Sequence, residues 1–229
     1  MKTTNRNYIP AAGRNWALPL YDPLVKLLGA DRARQVIIDK ANLHQARRIL
    51  DVGCGTGTLA ILIKKMFPDA DVIGIDPDPD ALDIAKRKAM HMNVSVQFDR
   101  GFSDDLPYLD DSFDRVISTF MLHHLMQSEL AASLHEMGRV IAEKGSLHIL
   151  DFEKQKTESK NTTGSVTAKD QVKKINSEKL IENLMRNAGF LETKKVLSSS
   201  ILHGLLPVGY YQASSFRSEN VLSENYQTY

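Results

Sequence analysis

The sequence predicts an α/β fold, a mostly parallel sheet covered by helices on both faces. Three observations carry that prediction. Short apolar runs at 49–52, 72–75, 94–98, 116–119 and 146–151 alternate with longer runs of helical period, the order that parallel strands with crossover helices require. The first run leads directly into a glycine-dense turn at Gly53, Gly55 and Gly57. The second ends on a carboxylate, Asp76, about 20 residues further on. At 229 residues the chain is long enough for one well-buried α/β core and short for two.

The elements follow in order. Residues 1–24 are irregular, with Tyr8, Trp16 and Tyr21 among Pro10, Pro19 and Pro23. A helical pattern covers 31–46, with Val36, Ile37, Ala41 and Leu43 on one face. After the first strand and its glycines, helix 58–66 is closed by Pro68. Asp78 and Pro79 are the N-cap and first position of a helix reaching residue 90. Strand 94–98, strand 116–119, helix 127–142 and strand 146–151 extend the alternation. Residues 153–176, rich in Lys, Ser, Thr, Asn and Gln, break the rhythm and read as a solvated connection. Two closing strands, 192–202 and 205–215, meet near His203-Gly204, a connection tight enough for an antiparallel pair. Residues 217–229 read as a disordered tail.

Composition narrows the function classes. Hydrophobic content of 42% and charged content of 25% are ordinary for a soluble globular chain. A net charge of +1 gives no global field to recruit nucleic acid or an anionic membrane. The single cysteine, Cys54, leaves no internal disulfide pair and fits a reducing compartment. No apolar run approaches a membrane span and the polar start lacks a secretory core, so the cytoplasm is the expected location. No His/Cys/Asp spacing supports a metal site.

Strand, glycine turn, helix, strand and acid together form the arrangement by which an α/β sheet grips an adenosine-containing ligand. Glycines let the backbone approach the ligand, and the acid accepts from the ribose hydroxyls. Two ligand classes use it. Gly55-Thr56-Gly57-Thr58-Leu59-Ala60 fits G-x-G-x-x-A, a dinucleotide fingerprint. Read from Asp51, the same stretch is D-x-G-x-G-x-G. Charge favours the second reading, since Asp51, expected at the mouth of the turn, would repel a pyrophosphate and suit a ligand carrying a sulfonium and an ammonium.

Read that way, residues 51–57 resemble motif I of the class I S-adenosylmethionine-dependent methyltransferases. Gly101-Phe102-Ser103-Asp104-Asp105-Leu106-Pro107 is similar to that family's G-D-A-x-x-L-P, and Ser112-Phe113-Asp114-Arg115-Val116 to its S-F-D-x-V. Phe120-Met121-Leu122-His123-His124-Leu125 resembles V-L-H-H-L, and residues 134–146 the helix and turn written L-x-E-x-x-R-V-L-K-P-G-G. Residues 183–190 resemble the last helix before the terminal hairpin. The series runs in order over 47–213 and is nearest to the ubiquinone/menaquinone-biosynthesis type.

The resemblance implies a Rossmann-like three-layer αβα sandwich with a seven-stranded sheet, the hairpin forming strands six and seven, in a single domain over 1–216. It implies S-adenosyl-L-methionine as cofactor, methyl transfer to a small-molecule acceptor, and an acceptor-side role for the 153–176 insert. The residues it marks are Asp51 near the methionine ammonium, Gly53, Cys54, Gly55 and Gly57 in the turn, and Asp76 on the ribose. Ile75 and Pro77 flank the adenosine. Thr119 and Phe120, after Ser118, lie beside the sulfonium. Phe102 and Ser103 lie at the adenine end, where Phe102 replaces the family's usual Asp and leaves Asp104 or Asp105 as the substitute acceptor. Tyr8, with Trp16 and Tyr21, is either an apolar clasp or a wall of the site. His124 is the candidate catalytic base, with His123 behind it and packing as the competing role for both. Cys54 reads as a small apolar residue with no base beside it. A catalytically silent binding module and an NAD(P)-dependent oxidoreductase are the alternatives.

Overall fold

The computed structural model describes residues 30–153, 178–201 and 206–216. The expected clasp of Tyr8, Trp16 and Tyr21, the insert beyond Glu153, the His203-Gly204 connection and the 217–229 tail lie outside them. In order, the chain forms α1 (Ala30–Lys40), a 3-10 turn (Leu43–Gln45), β1 (Arg48–Val52), α2 (Thr58–Met66), β2 (Asp71–Asp76) and α3 (Pro79–His91). Next come β3 (Gln97–Arg100), β4 (Phe113–Thr119), a second 3-10 turn (Leu122–His124), α4 (Gln127–Arg139) and β5 (Ile141–Phe152). Helix α5 (Glu178–Asn187) precedes the hairpin of β6 (Phe190–Ile201) and β7 (Leu206–Phe216).

These strands make one seven-stranded sheet in the order β3-β2-β1-β4-β5-β7-β6. Strands β1 to β5 pair in parallel, and β7 runs antiparallel between β5 and β6. The Rossmann-like sandwich expected from the sequence is the fold. Because successive strand side chains point to opposite faces, two cores form. Ile49, Ile117, Leu150 and Tyr210 pack with Ile37 and Ile38 of α1, Ile63 of α2 and Ala85 of α3. Leu50, Val116, Ile149 and Tyr211 pack on the other face with Leu134 and Met137 of α4 and Ile181 and Met185 of α5. Each such aliphatic side chain removed from water contributes about 1.5–3 kcal/mol.

From β1 the sheet continues to β2 and β3 on one side and to β4 on the other. Loops leaving the carboxyl ends of β1 and β4 therefore diverge, and a crevice opens between them.

Several boundaries move, each for a local reason. Helix α1 stops at Lys40, short of residue 46, because Asn42 takes a left-handed backbone at φ 48 and starts a separate 3-10 turn. Helix α4 ends at Arg139 rather than 142. The Ser112 and Phe113 amides both donate to the Val140 carbonyl at 2.9 Å, and Ile141 already pairs with Phe113 as the start of β5. Strand β3 begins at Gln97 rather than 94, since the Val94 amide is spent on the Ala89 carbonyl at 3.1 Å, closing α3.

Candidate active site

The turn after β1 is tied to the end of β2, the Gly53 and Cys54 amides donating to the Ile75 carbonyl at 2.8 and 3.1 Å. Its glycines serve different ends. Gly53 has φ 72, and a Cβ there would overlap the Met121 side chain. Gly55 has φ 52 and nothing within 4 Å of the Cβ position, so its backbone faces open space. Gly57 is a packing residue: a Cβ would stand 2.7 Å from Ala85 of α3 and from the Phe98 ring of β3.

Asp76 closes over this turn. Its Oδ2 accepts from the Gly55 amide at 2.8 Å and its Oδ1 from the Asp78 amide at 2.9 Å. A carboxylate has about four acceptor positions, so capacity remains for two hydroxyl groups. Burial raises its pKa to about 6, against the lowering effect of those two amides. Asp78 caps α3, as expected, by accepting from Asp80 and Ala81.

Asp51 departs from expectation. It is 1% exposed and is not among the residues lining the crevice, rather than standing at the mouth of the turn. The strand period explains this: Asp51 follows Ile49 by two residues and faces the core under α1 and α2. Neither carboxylate oxygen has a hydrogen-bond partner at ordinary distance among the described residues. Burial pushes its pKa up to about 7; Arg34 and the Ala60 amide only temper this, and Asp76 adds to it.

The crevice holds a cavity of about 290 Å³. Gly53, Cys54, Gly55, Asp76 and Pro77 line it. Phe102, Ser103, Thr119, Phe120 and His124 also line it. Gly57 does not line it. Of the two substitute acceptors at the adenine end, Asp104 lines the cavity and Asp105 is exposed. The Ser103 hydroxyl lies 2.7 Å from that of Ser133 on α4, which turns it toward the helix. Burial, with the charge of Asp51 next, raises the Cys54 thiol well above its usual range, as befits an inert packing residue.

His124 is pushed down to about 4, first by burial and then by His123, which makes it a weak base. His123 has the carboxylate instead: its Nδ1 lies 2.8 Å from Asp151 Oδ1. Sequence reasoning passed over that pairing and also missed Arg34, 7% exposed and on the cavity wall. A signal for Arg34 existed. Positions 34, 37, 38 and 41 share one helical stripe, and a charge continuing a buried apolar stripe needs a partner. Met121 and Glu129, also on the wall, carried no comparable signal. Among the described residues no cluster of His, Cys, Asp and Glu could hold a metal ion, and no helix is long and apolar enough to cross a membrane.

Residues 49–145 match the family described as a methyltransferase domain. That span contains β1 to β4, the glycine turn, Asp76 and both histidines. The chain is 38% identical over 137 residues to the demethylmenaquinone methyltransferase of Deinococcus radiodurans, a match covering 58% of this chain and 56% of that one. It is 40% identical over 137 residues to the enzyme of the same name from Thermus thermophilus, covering 58% and 61%. The methyltransferase match thus spans little more than half the length of these curated relatives. Among solved structures, an S-adenosylmethionine-dependent methyltransferase from Aquifex aeolicus superposes with a TM-score of 0.66 at 20% identity, covering 87% of this chain and 98% of that one. The [4+2]-cyclase SpnF does so with a TM-score of 0.66 at 21% identity, covering 81% of each. That pair establishes the fold and, by its mixed chemistry, nothing more.

Proposed function

We propose that the protein transfers the methyl group of S-adenosyl-L-methionine to a small-molecule acceptor by in-line displacement, releasing S-adenosyl-L-homocysteine. The observation that carries this reading is two carboxylates, the buried Asp51 and the half-buried Asp76, flanking a turn whose Gly55 backbone faces open space. A pyrophosphate beside them would meet two weakly screened charges. A cationic ligand is favoured by both.

The roles follow from position. Asp76 accepts from the ribose hydroxyls. Asp51 supplies the field that favours the methionine ammonium, and Arg34, on the cavity wall, the charge for the methionine carboxylate. Pro77 and Phe102 bracket the adenosine, with Asp104 in place of the missing acceptor. Thr119 and Phe120, at the end of β4, are placed beside the sulfonium. When bound, S-adenosyl-L-methionine supplies a methyl group already activated by positive sulfur. The protein then has to hold the nucleophile in line at about 3–3.5 Å and keep water out, which accounts for several kcal/mol of a barrier. The curated relatives direct the acceptor class toward a quinone-type molecule of the demethylmenaquinone kind. A net charge of +1 supports neither nucleic acid nor an anionic membrane as partner, and a single cysteine supports a cytoplasmic setting.

Calorimetric titration of cofactor-stripped protein tests the reading, with S-adenosyl-L-homocysteine and NADH as parallel ligands. Binding of the first and not of the second is expected. Binding of NADH alone would overturn it.

A further inference from the structure

We propose that the ring of Phe120 recognises the positive charge on the cofactor sulfur, raising affinity for S-adenosyl-L-methionine relative to the neutral S-adenosyl-L-homocysteine. This rests on the methyl-transfer reading above. The first sign is in the backbone. Among the described residues, four other than glycine have positive φ: Asn42, Asn93, Asp111 and Phe120. Asparagine and aspartate tolerate that region, whereas a bulky side chain there is an outlier carried at a cost to the fold. Phe120, at φ 53, is that outlier, and it lines the cavity. Glycine would make the same turn without strain, so what the strain retains is the ring.

The surroundings hold that ring in place. The Phe120 amide donates to the Leu150 carbonyl of β5 at 2.8 Å. Phe152, which does not line the cavity, meets the ring with centroids 5.1 Å apart and planes tilted by 41°. Strand order then decides which part of the cofactor arrives there. Phe102 and Asp104 follow β3, Asp76 ends β2, and Phe120 follows β4 on the far side of β1. With adenine at the first and ribose at the second, the sulfur, one carbon from the ribose ring, extends toward the third. Beyond Phe120 the wall is Met121, His124, Leu125, Met126 and Glu129. Burial and then His123 push the His124 pKa down to about 4, so none of these five is a cation that would repel the sulfonium. An aromatic face attracts a desolvated cation through its quadrupole. When the methyl leaves, the S–CH3 bonding pair stays on sulfur, the thioether is neutral, and the attraction ends. The contact therefore aids cofactor capture and product departure rather than the chemical step.

Glu129 on the same wall also favours a cation, so the test removes the ring alone. Phe120→Leu keeps an apolar side chain and discards the quadrupole. By calorimetric titration, its affinity for S-adenosyl-L-methionine should fall about fivefold or more, while that for S-adenosyl-L-homocysteine stays within about twofold. Phe120→Tyr, which keeps a ring, should retain the wild-type ratio of the two affinities. A residue that merely packs would weaken both ligands alike, so an unchanged ratio in Phe120→Leu overturns the proposal, as does a lost ratio in Phe120→Tyr. Phe120→Gly should unfold at a higher temperature than Phe120→Ala, because glycine alone is at ease at that φ. The reverse order overturns the strain on which the proposal stands. Should Phe120→Leu fail to fold, the wild type decides. The methyl proton resonance of bound, methyl-labelled S-adenosyl-L-methionine should move upfield under the ring, and a resonance left at its free position overturns the proposal. Wild-type protein that binds neither ligand instead overturns the methyl-transfer reading itself.

Discussion

Glu136 on α4 and Asp51 on β1 are both carboxylates drawn out of water, yet their surroundings act on them in opposite directions. Burial alone would raise the pKa of Glu136, but the Arg139 fork and the Leu106 amide override it and hold the group below its usual range. Arg139 bonds both Glu136 oxygens at 2.7 Å, and the Leu106 amide donates to Oε2 at 2.9 Å. The same guanidinium reaches the carbonyls of Leu106 and Tyr108 and the Asp110 side chain, stitching the loop before β4 to α4. Asp51 has no such fork, and its pKa rises to about 7. Where the fold needs a carboxylate only as a fastener, it supplies the partner itself. Where a partner is withheld from a buried charge beside an open cavity, a ligand is the natural candidate to supply it.

Substitutions can break that comparison. The largest effect is expected from Asp76→Ala, which removes the proposed acceptor of the ribose hydroxyls. Its affinity for S-adenosyl-L-homocysteine, read by calorimetry, should fall about 100-fold, and an unchanged affinity would remove Asp76 from the site. Next comes Glu136→Ala, which removes both carboxylate bonds to Arg139 and the acceptor of the Leu106 amide. Urea unfolding should show a loss of about 2 kcal/mol, while ligand affinity stays within about twofold. Asp51→Asn should reverse that pattern. Removal of a buried charge whose oxygens lack a hydrogen-bond partner among the described residues should raise stability by about 1 kcal/mol while weakening the ligand about tenfold. A variant that loses stability but binds normally would make Asp51 a second fastener.

The smallest effect is on pH dependence. Asp51 and Asp76 have folded values near 7 and 6, above the ordinary 3.8. Their contribution to stability is therefore fully present below about pH 4 and lost as pH rises through 6 to 7. Glu136, shifted down, contributes above its ordinary value and loses that contribution on acidification. Asp51→Asn should flatten the decline on the alkaline side only, and Glu136→Gln the decline on the acid side only, when unfolding midpoints are followed across pH.

Much of this was legible in the sequence for physical reasons. Strand–helix alternation, the glycine turn and Asp76 are local patterns, and local patterns determine backbone geometry. The closing antiparallel pair followed from its short connection. What escaped depended on contacts between distant segments. Asp51 was placed at the mouth of the turn because motif spacing locates a residue along the chain but not the face it occupies. Arg34 was overlooked because the helical face was read through its apolar members alone. The His123–Asp151 pair joins the ends of β4 and β5, and that contact exists only once those strands lie side by side. Helix α4 overran by three residues on paper because Val140, Ile141 and Ala142 suit a helix as well as a strand. Carbonyl capture by Ser112 and Phe113 decided between them.

The position of β7 has a consequence for how the chain is made. It is the last of the described strands in sequence, yet it lies inside the sheet, between β5 and β6. Among the described strands β6 pairs with β7 alone, so on leaving the ribosome it has none of these partners until the following segment appears. The free side of β5 waits for the same segment. A nascent chain paused before Leu206 would carry two unpaired strand edges, surfaces that chaperones and neighbouring chains readily engage.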